Sequence, residues 1–151
     1  MSGTVVEILL APVAAELPRS VGWARARAGR GLEGDRYFTG RGTWSNYPVR
    51  SGIDLTLIEQ EVLESVGLSG AQARRNLVTR GVRLNELVGR RFRIGKVVCY
   101  GDRLCEPCAH MERLTGTAVE ALLHRGGLRA DISTGGELRA GDAITLVPDL
   151  R

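Results

Sequence analysis

Arg91-Phe92-Arg93-Ile94-Gly95-Lys96-Val97-Val98-Cys99-Tyr100 carries the clearest strand pattern of the chain. Phe92 and Ile94 alternate with arginines, the period-two pattern of a half-buried strand, and Gly95 marks a bulge or a turn inside it. Short strands of the same kind lie on both sides. Residues 4–10 are a β-branched apolar run ended by Ala11-Pro12, residues 54–58 alternate, and Leu77-Val78-Thr79 is a further candidate. Residues 128–132, a Gly135-Gly136 turn and residues 143–147 read as strand, turn and strand. Helical signals are few. Residues 59–66 place Val62, Leu63 and Val66 on one face and stop at Gly67, Asn85 caps a short turn at residues 86–88, and Thr117 starts a helix running to Leu123. Residues 29–42 hold five glycines and read as loop or irregular strand. Many short strands joined by glycine-rich turns predict a mainly β (α+β) fold, a closed or strongly bent antiparallel β-barrel with a few short helices. Strands do not alternate with long helices, which argues against a doubly wound parallel sheet.

The chain has 151 residues, 43% of them apolar and 25% charged, which suits a single domain over residues 1–151 with one core. No apolar run reaches the length of about 20 residues that a membrane-spanning helix needs. Residues 1–10 lack a basic start, and Glu7 interrupts their apolar run, so they do not read as a signal peptide. The expectation is therefore a cytoplasmic protein, with reduced thiols and no membrane partner; an odd number of cysteines, three, agrees. The net charge of +4 arises from twenty arginines and a single lysine, Lys96. Arginine suits bidentate contact with phosphate and carboxylate, although coding-sequence composition accounts for most of the excess. Two Phe, three Tyr and two Trp are too few for a stacking platform on single-stranded nucleic acid, so no nucleic-acid partner is expected. One lysine makes a pyridoxal phosphate Schiff base a poor expectation, and no cysteine set for an iron–sulfur cluster is present.

The chemistry of the chain is concentrated at Cys105-Glu106-Pro107-Cys108, followed by Ala109-His110. A Cys-x-x-Cys pair with a proline suits dithiol exchange, but that motif opens a helix after a strand in a βαβ unit, a context missing here. Structural zinc needs four ligands; Cys105, Cys108 and His110 supply three, with Cys99 or His124 as a fourth, in a spacing that matches no common pattern. The plain alternative is that Cys99 and Cys105 are inert core residues, since a free cysteine packs like a small hydrophobe. That reading is weaker for Cys108, which a proline places in a turn.

Four further segments bear on the choice. Gly31-Leu32-Glu33-Gly34-Asp35-Arg36 stands in the first third, and Arg74-Arg75-Asn76-Leu77-Val78-Thr79-Arg80-Gly81-Val82 in the middle. Arg103-Leu104-Cys105-Glu106-Pro107-Cys108 follows, and Gly135-Gly136 with Gly141-Asp142-Ala143-Ile144 closes the series. In this order and spacing the set resembles the MOSC family, domains similar to the C-terminal part of molybdenum cofactor sulfurase and to the mitochondrial amidoxime-reducing component. The resemblance spans about residues 5–147 and implies a β-barrel-rich fold. It implies that Cys108 is the family cysteine, a molybdenum ligand in catalytic relatives and a proposed persulfide carrier in the sulfurase branch. It also implies that Arg74 and Asn76, with Asp35 and Arg36, line the pocket of the anionic molybdenum cofactor (molybdopterin).

The chemistry of these side chains agrees with the resemblance. Thiolate is a soft ligand suited to such a metal, arginine favours both thiolate and phosphate, and an Asn amide offers donor and acceptor to a pterin edge. Asp35 equally fits a turn after Gly34, with Arg36 as its ion-pair partner. Cys105 is either a resolving thiol for Cys108 or a core residue, and His110 a residue that positions substrate or a surface residue. Arg75 and Arg80 read most simply as solvated strand or loop charges, with widening of the anion site as the alternative for either. The expected roles are an oxidoreductase that reduces an N-hydroxylated small-molecule substrate with electrons from a separate protein, or a sulfur carrier served by a sulfur-donor protein.

Overall fold

The computed structural model describes residues 2–12, 16–35, 52–105 and 122–148. Among them are eleven strands, two short α-helices and a 3-10 turn. They are β1 (Ser2–Leu10), β2 (Arg19–Val21), β3 (Trp23–Arg27), β4 (Gly31–Leu32), β5 (Leu55–Glu59), α1 (Gln60–Val66), α2 (Gly70–Ala73) and β6 (Leu77–Arg80). After the 3-10 turn Leu84–Leu87 come β7 (Arg91–Ile94), β8 (Val97–Leu104), β9 (Leu128–Thr134), β10 (Gly136–Arg139) and β11 (Ala143–Leu146).

Seven strands close into a barrel in the order β1-β6-β5-β9-β8-β7-β11, and β11 returns to β1, with Ser2 opposite Thr145. Closure removes the exposed edges that an open sheet would present. All pairings are antiparallel except β5–β6, which is parallel and bridged by α1 and α2. β5 is accordingly buried on both faces, from Leu55 to Ile58, as parallel strands covered by helices are. β1 has three partners: β11 near its start, β6 in its middle and β2 at its end. A register shift between Val5 and Glu7 supplies the bend this requires and turns Val6 outward.

The barrel interior is filled by Val5, Ile8, Leu55, Leu57, Leu77, Phe92, Ile94, Val97, Cys99, Leu128, Ala130, Ile132 and Ile144. A small sheet, β10-β3-β4, adds Ala24, Ala26, Leu32 and Leu138 to the same core. A second cluster outside the barrel wall joins Leu63 of α1 and Ala73 of α2 to Leu9, Ile58 and Val78.

The alternating decapeptide is a hairpin. Phe92 and Ile94 are fully buried in β7, Val97 and Cys99 in β8, and Gly95, at a φ of 58°, makes the turn. Gly67 ends α1 in the left-handed region, as its position suggests. Asn85 does not cap its turn: the turn starts at Arg83 without a side-chain cap, and the Asn85 amide donates to the His124 carbonyl instead (2.9 Å). Of the helix expected from Thr117, only its end is described, where Leu122 is buried and Leu123 is 49% exposed rather than in the core. No described helix is long and apolar enough to cross a membrane.

Candidate functional site

Asp35 follows the turn at the end of β4, where Gly34 has a φ of 91° and the Asp35 amide bonds the Leu32 carbonyl. Its carboxylate is 1% exposed and accepts from the Ala11 amide (3.0 Å), the first residue beyond β1. Asp35 therefore locks the β4 turn onto the end of β1.

Two residues back along β1, the Leu9 carbonyl accepts from the Asn76 side chain (3.4 Å), and the Leu9 amide donates to the Asn76 carbonyl (2.7 Å). The Asn76 Oδ1 accepts from both the Thr56 amide (3.1 Å) and the Thr56 hydroxyl (3.2 Å). Both lone pairs of that oxygen are thus filled, and only one amide proton is left for anything else. Asn76 stitches β5, β6 and β1 together where the parallel pair begins.

Arg74 ends α2. It is one of two non-glycine residues with positive φ among those described, at 61°, and its amide bonds the Gly70 and Ala71 carbonyls. The left-handed step turns Arg75 inward. Arg75 is 7% exposed, and its guanidinium donates to the carbonyls of Gly126 (3.0 Å), Ala73 (3.0 Å) and Cys105 (3.5 Å). The expectation of a solvated Arg75 is corrected here, whereas Arg80 is exposed as expected and pairs with Glu64 (3.0 Å). No carboxylate pairs with Arg75 among the described residues.

Cys105 is the first residue after β8. It is 2% exposed, and its amide donates to the Gly127 carbonyl (2.8 Å). Cys99 lies inside the barrel, where burial pushes its thiol far up, with the Asp54 and Asp131 carboxylates adding to the effect. Cys108, Arg36 and His110 lie outside the described residues.

A continuous set of contacts thus runs from Asp35 through Ala11, Leu9, Asn76 and Arg75 to Cys105. It includes two of the five sequence-predicted site residues, Asp35 and Asn76, and Arg74 is the chain neighbour of Arg75. The signal for Arg75 was only its place between Arg74 and Asn76. Arg75 is a buried guanidinium held by carbonyl dipoles, beside a half-buried Arg74. Two adjacent guanidinium groups are of the kind that would suit an anionic group such as the molybdenum cofactor. Asp35 and Asn76 offer less as direct contacts, because the Ala11 amide occupies Asp35 Oδ1 and Thr56 fills Asn76 Oδ1. Among the described residues no cluster of His, Cys, Asp and Glu suits a metal ion.

Away from these residues, a concavity of about 280 Å³ is lined by Glu59, Val62, Arg83, Asn85, Glu86, His124 and Arg125. Burial raises the Glu59 carboxyl above its ordinary 4.5, partly offset by the Leu84 amide that donates to it (3.2 Å).

Solved structures with this architecture exist. The YuaD protein of Bacillus subtilis superposes with a TM-score of 0.78 at 15% identity, over 97% of this chain and 96% of that one. YiiM of Escherichia coli gives 0.70 at 17% identity, over 99% of this chain and 71% of that one. YiiM of Geobacillus stearothermophilus gives 0.71 at 13% identity, over 97% and 75%. At these identities the likeness is one of fold. No curated protein matches the chain. The family model for the MOSC domain, a domain associated in general with the molybdenum cofactor, matches residues 53–145. On that match, which covers more than half of its length, the chain belongs to the MOSC domain family.

Proposed function

We propose that this protein binds the molybdenum cofactor, with Cys108 as the metal ligand, and works as a small oxidoreductase on N-hydroxylated substrates. The observation that carries the reading is the buried Arg75, without a carboxylate partner among the described residues, set against the start of the segment that bears Cys108. A buried cation is costly unless an anion offsets it, and an anionic cofactor with a thiolate ligand supplies that offset. Arg74 and Arg75 would favour the anionic group, and Cys108 would hold the metal. Asp35 and Asn76 would support the pocket from behind by fixing the backbone of β1, β5 and β6. When bound, the group supplies two-electron oxygen-atom chemistry, with electrons delivered by a separate protein.

A second reading keeps the same residues without turnover: Cys108 carries a persulfide sulfur in cofactor handling. The test is elemental analysis and pterin fluorescence of protein purified from a cofactor-competent host, beside intact mass. Near-stoichiometric molybdenum with pterin supports the first reading. A sulfur adduct of about 32 Da on Cys108 without metal supports the second. An unmodified, metal-free protein sinks both.

A further inference from the structure

The residues around Cys105 carry an inference about how the cysteine-bearing segment is held, resting on the reading that Cys108 is the reactive thiol. We infer that Arg75 is a positioning residue that clamps the departure and the return of residues 106–121 against each other. The chain leaves at Cys105, whose carbonyl accepts from Arg75 Nη2 (3.5 Å). It is described again from Leu122, and the Gly126 carbonyl accepts from Arg75 Nε (3.0 Å). The two ends also meet directly, since the Cys105 amide donates to the Gly127 carbonyl (2.8 Å). The third bond, from Nη1 to the Ala73 carbonyl (3.0 Å), ties this junction to the end of α2. One guanidinium thus joins two chain segments, 30 and 51 residues from it in sequence, to its own turn.

Such a clamp has a function beyond stability. Bringing Cys105 and Gly126 together costs conformational entropy, and that cost is met at the clamp rather than at the moment a ligand binds. Gly127 shows how tight the junction is. Its φ is 106°, and a Cβ there would run into the Leu57 carbonyl, so the return strand lies directly on β5. Arginine is required by the geometry: three carbonyls approach Nε, Nη1 and Nη2 from three directions, which an ammonium on a flexible stem does not reproduce.

The test uses full-length, metal-free protein, so that a failure to bind molybdenum does not affect it. Arg75→Gln and Arg75→Lys are compared with wild type and with Arg139→Gln, an exposed arginine paired with Glu137 on β10. Two quantities are read: amide exchange at Cys105, and the rate of Cys108 alkylation by iodoacetamide at a single pH, mapped by peptide mass. Both Arg75 variants are expected to raise Cys105 exchange about tenfold, the loss of one charged hydrogen bond. Both are expected to change Cys108 alkylation at least threefold or so, while exchange in the β7–β11 pair stays at its wild-type value. A merely structural arginine would move the melting temperature and all amides together. Wild-type values at Cys105 and Cys108 in a folded Arg75 variant overturn the inference, as does full rescue by lysine. If neither variant folds, wild-type native-state exchange decides. A Cys105 amide that opens only with the barrel supports the clamp, and one that exchanges as fast as an exposed amide refutes it.

Discussion

Cys99 and Cys105 share an environment that should silence them. Cys99 has no exposure, and its thiol is pushed well above the usual range by burial; Cys105 is 2% exposed. Only the thiolate attacks alkylating reagents, so brief iodoacetamide treatment of native protein should label Cys108 and spare the other two. Equal labelling of Cys105 would contradict the asymmetry assigned to the Cys-Glu-Pro-Cys pair. Glu59 gives a second expectation. Its folded value lies above its ordinary 4.5, so its contribution to stability is full below 4.5 and is lost as pH rises through the raised value. Glu59→Gln retains an acceptor for the Leu84 amide and removes the charge, so its urea midpoint should fall less than that of wild type between pH 4.5 and neutrality. Parallel curves would show that the burial of Glu59 is immaterial. At this scale the buried Cys99 was legible from its place at the end of an apolar strand. Arg75 was not, because which of two adjacent arginines turns inward is set by the left-handed conformation of Arg74, a consequence of how α2 meets β6.

At the level of elements, strands with large apolar residues announced themselves, as β1, β5, β7, β8 and β11 did. β3 did not: Trp23-Ala24-Arg25-Ala26-Arg27 buries only alanines, and its outward Trp23 inverts the expected pattern. β10 was hidden for the same reason, with Leu138 as its one buried residue. The 4-residue α2 is defined by a capping box between Ser69 and Gln72 rather than by periodicity. Ser69→Ala should cost about 1 kcal/mol in urea unfolding. Asn76 belongs to this scale as well, since its side chain spans three strands. Asn76→Ala strands the buried Thr56 amide without its Oδ1 partner and should cost about 1–3 kcal/mol. A loss well under 0.5 kcal/mol or so would point away from the stitching role and toward contact with a ligand.

For the whole molecule, closure through β1 and β11 joins the chain's two ends into one barrel, and Phe92 fills its interior with no exposure. Phe92→Ala should cost about 3–5 kcal/mol, read as a lower denaturation midpoint with the same slope. The barrel was legible from the spacing of turns and strands; the single parallel pair was not, because two short helices and a capping box do not resemble the long crossover that usually signals one. What the barrel achieves is to set the Arg75 guanidinium against the carbonyl of Cys105, three residues before Cys108. The central claim is that this thiol holds molybdenum, and it is tested most directly by the molybdenum-to-protein ratio of Cys108→Ser beside wild type, both purified from a cofactor-competent host and both shown to be folded. Wild type should carry a near-stoichiometric ratio and the variant should lose most of the metal; an equal, high ratio in both would rule out ligation by Cys108.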